Sequence, residues 1–419
     1  MAPPIGYHRR PRRPGATSRP RPMPVLLLIA FVDLVGFGIV IPLLPFYAEH
    51  FGASPAGVTL LMAVYSLAQL ATAPALGALS DAFGRKRVIV LSLAGAAIGY
   101  VVLGFAGSLA VLFAARALSG AMAGNIAAVQ AAIADITAPE DRARGMGLFG
   151  AAFGLGFIVG PFLGGVLAGV GAAEGAPNFA LPPLAAAGLS TLALALAAVL
   201  LPDAPRAPQP APRGRLGALE PWLAPVASVV ERSALRALVG VFFLVVFAFA
   251  GLESTFALWA ERALAWGPGE VGFLFAGVGA VAVVIQGGAI GPLTRRLGEE
   301  RVLLLGIGAL ACGFLALPAS RTVATAGLAM AVLAGGFALA NPTLHSLVSR
   351  RAPAGRTGAS LGVAQGAGSL ARILGPAAAG LLFTAGGRAA PYLASALILL
   401  LVGAGLWWRQ RRRRAADLA

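Results

Sequence analysis

Apolar residues run almost unbroken for about twenty positions at a time, and polar residues gather in short gaps between these runs. A helix that crosses a membrane needs about 20 mostly apolar residues. Twelve runs of this kind can be placed, at about 24–47, 57–79, 87–107, 109–136, 145–170, 179–201, 237–260, 271–292, 302–319, 322–349, 358–384 and 389–408. The pattern predicts an all-α membrane protein with twelve transmembrane helices. The runs are rich in Ala and Gly, with 56 glycines in the chain, and such small residues let helices approach closely inside a bilayer. Arg9, Arg10, Arg12, Arg13, Arg19 and Arg21 precede the first run, as they would in a signal peptide. That run is too long, contains Asp33 and has no small-residue cleavage site. It reads as a first membrane helix behind a basic, Pro-rich, disordered tail over 1–23.

The polar gaps repeat. Residues 77–88 (Gly77, Leu79, Ser80, Asp81, Gly84, Arg85, Lys86, Arg87, Val88) are echoed about 214 residues on by 291–302 (Gly291, Leu293, Thr294, Arg295, Gly298, Glu299, Glu300, Arg301, Val302). Gly120 and Asn125 answer to Gly336 and Asn341, and Gly160, Pro161 and Gly165 to Gly375, Pro376 and Gly380. Such a repeat inside a membrane predicts two six-helix bundles in parallel pseudo-repeat, 24–201 and 237–408, around a central site. A Pro/Arg-rich linker over 202–236 joins them, and a basic tail follows at 409–419. Within the linker, Leu216–Val230 reads equally as an interfacial helix anchored by Trp222 or as unstructured chain.

Charge refines this picture. Charged residues are 11% of the chain, against about 25% in soluble proteins. The net charge of +16 falls in the gaps and not on one polar face, which argues against a nucleic-acid partner. The basic residues alternate with the gaps. Arg85, Lys86, Arg87, Arg142, Arg144, Arg295, Arg296, Arg301, Arg350, Arg351, Arg356, Arg409 and Arg411–Arg414 lie on one side, and only Arg262, Arg321 and Arg388 on the other. This bias predicts both termini in the cytoplasm and an even number of helices, in an inner (plasma) membrane. The single cysteine, Cys312, allows no internal disulfide. His8, His50 and His345 are scattered and suggest no metal site. No phosphate loop or nucleophile elbow is present, so the chain is not read as an enzyme, and no cofactor is expected.

Ionisable residues inside spans are few, and each costs about 2.5–3.5 kcal/mol on insertion scales. Asp33, in the first run, can hold a proton in a low-dielectric interior and release it when water arrives. The alternative is a permanent ion pair with Arg116; the two readings overlap, since Arg116 can also be the cation that displaces the proton. Glu253 is a second proton site or an anchor for a cationic substrate among Phe249, Phe256 and Trp259, or else a locally paired acid. Arg372 either binds helix carbonyls or attracts anions. Gly156, Gly160, Gly164 and Gly165, with Pro161, form a small-residue stripe that serves as a seam between bundles or as ordinary packing. Gln69, Asn125, Gln130, Gln286, Asn341 and Gln365 are candidate cavity-lining residues, or interhelical hydrogen bonds.

The motifs resemble those of the major facilitator superfamily over nearly the whole chain, about Val25 to Trp408. Gly77-x-Leu79-Ser80-Asp81-x-x-Gly84-Arg85-Lys86-Arg87 is similar to its signature loop between helices 2 and 3. The stretch Asp33–Tyr47, Arg116 to Gly120 and Gly154 to Gly165 resemble first-, fourth- and fifth-helix motifs of its twelve-helix drug:proton antiporter branch. The resemblance implies alternating access, with protons and a drug-like or amphiphilic small molecule exchanged by a monomer, driven by the proton gradient. It implies that Asp81 caps helix 11 of the opposite bundle and that Arg85 ties to Asp135 on helix 4; Gly77, Gly84 and Arg87 complete this gating loop. The nearest type is tetracycline efflux. In that type acids in helices 3 and 9 and a histidine in helix 8 are expected, where Gly99, Leu310 and Ala282 stand here, so a general drug or metabolite exporter is implied. The alternative is a proton symporter or a uniporter that imports a sugar or other metabolite.

Overall fold

The computed structural model describes residues 22–137, 142–171, 177–202, 229, 231–353 and 357–418. Most of the linker, including Trp222, and the first 21 residues lie outside them. Among the described residues, twelve helices are long and apolar enough to cross a membrane. Counting each crossing once, they are α1 (Pro22–His50), α2 (Pro55–Phe83), α3 (Arg85–Gly104), α4 (Leu109–Ile136), α5 (Arg142–Gly169) and α6 (Leu181–Leu200), then α7 (Ser233–Leu264), α8 (Pro268–Leu297), α9 (Glu299–Ala319), α10 (Val323–Arg351), α11 (Thr357–Gly386) and α12 (Ala390–Leu418). The bounds fall within about five residues of the hydropathy runs except at the end of α12, where the helix continues past Trp408 to Leu418 through the stretch read as a basic tail, because Arg and Ala are good helix formers.

Local chemistry sets the helix ends. Ser54, Ser108 and Thr322 accept hydrogen bonds from the third backbone N–H beyond them and start α2, α4 and α10. Gly84 and Gly298 close α2 and α8 with φ of 95° and 81°, a conformation that favours glycine, and α3 and α9 start at once behind them. The two repeated loops therefore share one backbone joint. Three crossings are irregular. α1 breaks over 41–43, where Pro42 and Pro45 remove backbone donors. α4 breaks at Met122–Gly124, and α8 carries a π turn at Ile285–Ala289.

The chain packs as two sets. Within the first, α1 lies on α5 and α6, α3 on α6 and α2 on α4; within the second, α7 lies on α11, and α9 on α10 and α12. The sets meet along two repeat-related seams, α5 with α8 and α11 with α2. Glycines determine how close each contact is. A methyl group on Gly160 would sit 2.7 Å from the Gly38 Cα, and one on Gly156 would sit 2.7 Å from the Leu34 Cβ, so these residues press α5 onto α1. Gly375 does the same against the Phe247 carbonyl of α7. Gly165 instead faces Pro268 and Gly269 of α8, and Gly380 faces Ala56 and Thr59 of α2. The expected stripe thus divides: Gly156, Gly160 and Gly164 pack α1 within one set, and Gly165 joins the two.

The seams close only on one side. Near the face opposite the basic gaps, Gly272 and Gly279 of α8 touch Pro161 and Ile158 of α5. Contact continues to Gly154 and Val283. Nearer the basic face, Gly150, Gly287, Gly288, Gly362 and Gly366 have nothing within 4 Å of an added methyl group. The two sets are joined at one end and parted at the other.

Substitution of Gly160 by Leu should force α1 and α5 apart, at a cost of about 1–3 kcal/mol for overpacking. Thermal unfolding of the detergent-purified protein should show a lowered Tm, whereas Gly287→Leu, which faces open space, should leave it within error.

Candidate functional site: buried charges between the bundles

Asp33 lies on α1 and is 7% exposed. It accepts a hydrogen bond of 2.5 Å from the Asn125 side-chain amide of α4. Asn125 is delivered by the break in α4, because the second half of that helix starts at this residue. The break leaves backbone carbonyls without their usual partners, and α2 supplies them: Thr72 donates to the Ala121 carbonyl at 2.8 Å and Gln69 to the Ala123 carbonyl at 3.3 Å. Asn125 and Gln69, expected as cavity lining, are thereby engaged in interhelical hydrogen bonds.

Arg116 does not pair with Asp33. The arginine is 3% exposed, and its guanidinium lies over the Tyr65 ring of α2, 4.4 Å from the centroid. Its Nε has no hydrogen-bond partner among the described residues. The expected ion pair gives way to a cation–π contact because Gly120 lets α2 approach α4 until a methyl group would meet the Tyr65 carbonyl. Tyr65 is also within electrostatic range of Asp33 and of Arg372 of α11, charges on both sets of helices. No motif singled it out; the only signal in the sequence was an isolated Tyr inside an apolar run. Phe37 packs on Tyr65 and Phe157, with ring centroids 5.3 and 6.2 Å away.

In the second set, Glu253 of α7 and Arg372 of α11 interact as opposite charges without forming a close ion pair among the described residues. Arg372 also donates weakly to Ser369 at 3.4 Å. The aromatic residues expected around Glu253 divide. Phe249 stacks on Phe337 at 3.9 Å between centroids. Phe256 and Trp259 are both 0% exposed, in a core with Trp266, Phe275 and Tyr392, and so line no cavity. Six residues along a helix rotate a side chain by about 120° relative to its starting face, which separates Trp259 from Glu253. Gln130 and Asn341 are half-buried, whereas Gln286, on the π turn, and Gln365 are exposed near the parted end.

Each end of the molecule carries ion pairs among the described residues. On the basic face, Arg85 at the start of α3 binds Asp135 of α4 at 3.1 Å and also donates to Ser80 at 3.1 Å. The Asp81 side chain lies outside the described residues. Gly77 and Arg87 are exposed. The second copy has the opposite polarity: Glu299 and Glu300 start α9 and bind Arg350 and Arg351 of α10. On the opposite face, Arg262 of α7 binds Glu49 of α1 at 2.6 Å, a bridge between the two sets. Arg388 holds the Arg262 carbonyl at 2.8 Å, and Glu261 also contacts Glu49. Sequence reading gave Arg262 and Arg388 only a topological meaning, because no periodicity links short gaps 213 residues apart.

A family model described as Major Facilitator Superfamily matches residues 26–376 and 262–418. The tetracycline resistance protein, class G, of Vibrio anguillarum is 32% identical over 86% of this chain and 90% of its own length. Major facilitator superfamily domain-containing protein 10 of Mus musculus is 30% identical, covering 90% of each. Among solved structures, the human organic anion transporter MFSD10 (TETRAN) superposes with a TM-score of 0.70 at 28% identity, over 93% of this chain and all of that one.

The Arg85–Asp135 pair is partly exposed, 27% and 57%, so a double-mutant cycle on Tm with Arg85→Gln and Asp135→Asn should give a coupling of about 0.2–1 kcal/mol. Exchanging the two charges (Arg85→Asp with Asp135→Arg) copies the polarity of the second repeat and should restore the Tm.

Proposed function

This chain belongs to the Major Facilitator Superfamily of membrane transporters, and on that premise we propose that it exports a small drug-like or amphiphilic compound in exchange for protons. The observation that carries this reading is Asp33: a buried acid in mid-span, held by the Asn125 amide and by no cation among the described residues. A carboxyl held that way can gain or lose a proton as its hydration changes, while a carboxylate locked to arginine cannot. Glu253, near Arg372, is the second titratable group of the pathway. Movement of one charge through the membrane potential supplies about 2.3 kcal/mol per 100 mV. The tetracycline resistance relatives support export. Gly99, Ala282 and Leu310 favour a compound other than tetracycline, because they supply neither acid nor imidazole at those places.

Alternating access is supported by the Glu49–Arg262 bridge and by the parted seams. Glu49–Arg262 closes the face opposite the basic gaps in this state, and the parted seams open the basic face. Transport requires Glu49–Arg262 to break as the basic face closes around the gating loop. By the positive-inside bias the basic face is cytoplasmic, in the plasma membrane, and the working unit is a monomer.

A second reading concerns substrate charge. Arg116 and Arg372 are two cations near Tyr65 that form no ion pair among the described residues, and one similar protein of known structure is a human organic anion transporter. These features favour an anionic or zwitterionic compound over a cationic one.

The test uses purified protein in vesicles loaded with a pH dye, with a panel of cationic, zwitterionic and anionic drugs. Substrate-dependent proton movement is expected in the wild type and should vanish in Asp33→Asn, with expression and Tm unchanged. Proton movement that persists in Asp33→Asn would remove Asp33 from the mechanism. Substrate flux without any proton movement would identify a uniporter.

A further inference from the structure

The basic face of the second set holds a groove of about 800 Å³ at the joint between α8 and α9, closed by the end of α10 and by Gln410 of α12. Its rim carries charges of both signs, but they are not equally free. Glu299 is bound by Arg350 at 3.4 Å and by the Ser346 hydroxyl at 2.7 Å, and Glu300 by Arg351. Arg295, Arg296 and Arg301 line the same groove and are exposed. Their side chains form no ion pair or hydrogen bond among the described residues. The acids are neutralised by their own partners, and three guanidinium groups remain directed to one recess. A guanidinium presents a planar fork of donors that matches phosphate oxygens.

The surroundings say where the phosphate comes from. Gln410 donates to the Glu300 carbonyl at 3.2 Å, which fixes α12 against the groove. One turn back, Trp407 is 49% exposed, with the Arg411 guanidinium 4.0 Å over its ring. Exposed tryptophans on a membrane helix mark the headgroup level. Deeper in the membrane, Leu401 of α12 is 65% exposed and Leu305 of α9 is 50% exposed, an apolar track beneath the basic rim. A soluble anion has no use for this track, whereas a lipid needs both parts. We infer that this groove seats the phosphate headgroup of an anionic phospholipid, with its acyl chains along α9 and α12. Topology explains basic residues on this face; it does not explain three unpaired ones around a single recess.

The inference is tested by native mass spectrometry of the full-length protein from micelles holding equal amounts of dioleoyl phosphatidylglycerol and dioleoyl phosphatidylcholine. The wild type should retain the anionic lipid preferentially. Neutralising one arginine, as in Arg296→Gln, should lower that preference about fivefold, following the attraction of one basic residue near an anionic surface. The triple variant Arg295→Gln, Arg296→Gln, Arg301→Gln should bind both lipids alike. Undiminished preference in the triple variant would overturn the assignment. So would an equal loss in Arg232→Gln, which removes an exposed arginine outside the groove. Displacement of the lipid by millimolar inorganic phosphate would also overturn it, identifying a soluble-anion site instead.

Discussion

Inside a bilayer no water is available to satisfy a polar group, and each backbone or side-chain dipole must find its partner within the protein. The break in α4 is organised around that constraint. Where α4 breaks, Thr72 and Gln69 of α2 cross over to its free carbonyls. The same break delivers Asn125 to Asp33, so one local departure from helical geometry both needs partners and supplies one. Arg116, lacking an acid, lies against the face of Tyr65. The central polar cluster and the packing of α1, α2 and α4 are therefore one structure.

Close approach is the second requirement, since lipid chains are as apolar as leucine and do not drive helices together. Gly160 and Gly375 permit the α1–α5 and α7–α11 contacts, and Gly165 and Gly380 permit the two seams. Residues five apart on one helix point in different directions, so the same short motif serves an internal contact and a seam. The glycines that hold each bundle together are therefore not the ones that line the seams between them.

The repeat is less symmetric in charge than in shape. Gly84 and Gly298 hold matching backbone joints, yet Arg85–Asp135 and Glu299–Arg350 have reversed polarity. Acids in the first turn of α9 and bases in the last turn of α10 agree with the helix dipoles. Arg85 in the first turn of α3 opposes its dipole, by about 0.3–1 kcal/mol. The first copy is thus the less favourably placed of the two pairs.

Most of the fold was legible in the sequence. Span length follows from bilayer thickness, and small residues and turn glycines act through local sterics, so twelve helices, their repeat and the Gly84 and Gly298 joints could be read from neighbouring residues alone. The buried ionisable groups Asp33, Arg116, Glu253 and Arg372 were also visible, since a charge in an apolar run stands out wherever it points. Their partners were not. Which residue meets Asp33 depends on the rotation of α1 and α4 about their axes and on a helix break that hydropathy does not register. Tyr65 beside Arg116, the burial of Phe256 and Trp259, and the Glu49–Arg262 bridge depend likewise on how whole helices are turned and docked. Sequence determines what each helix carries; only tertiary packing decides which faces meet, because contacts between residues dozens to hundreds of positions apart leave no periodic trace in the chain.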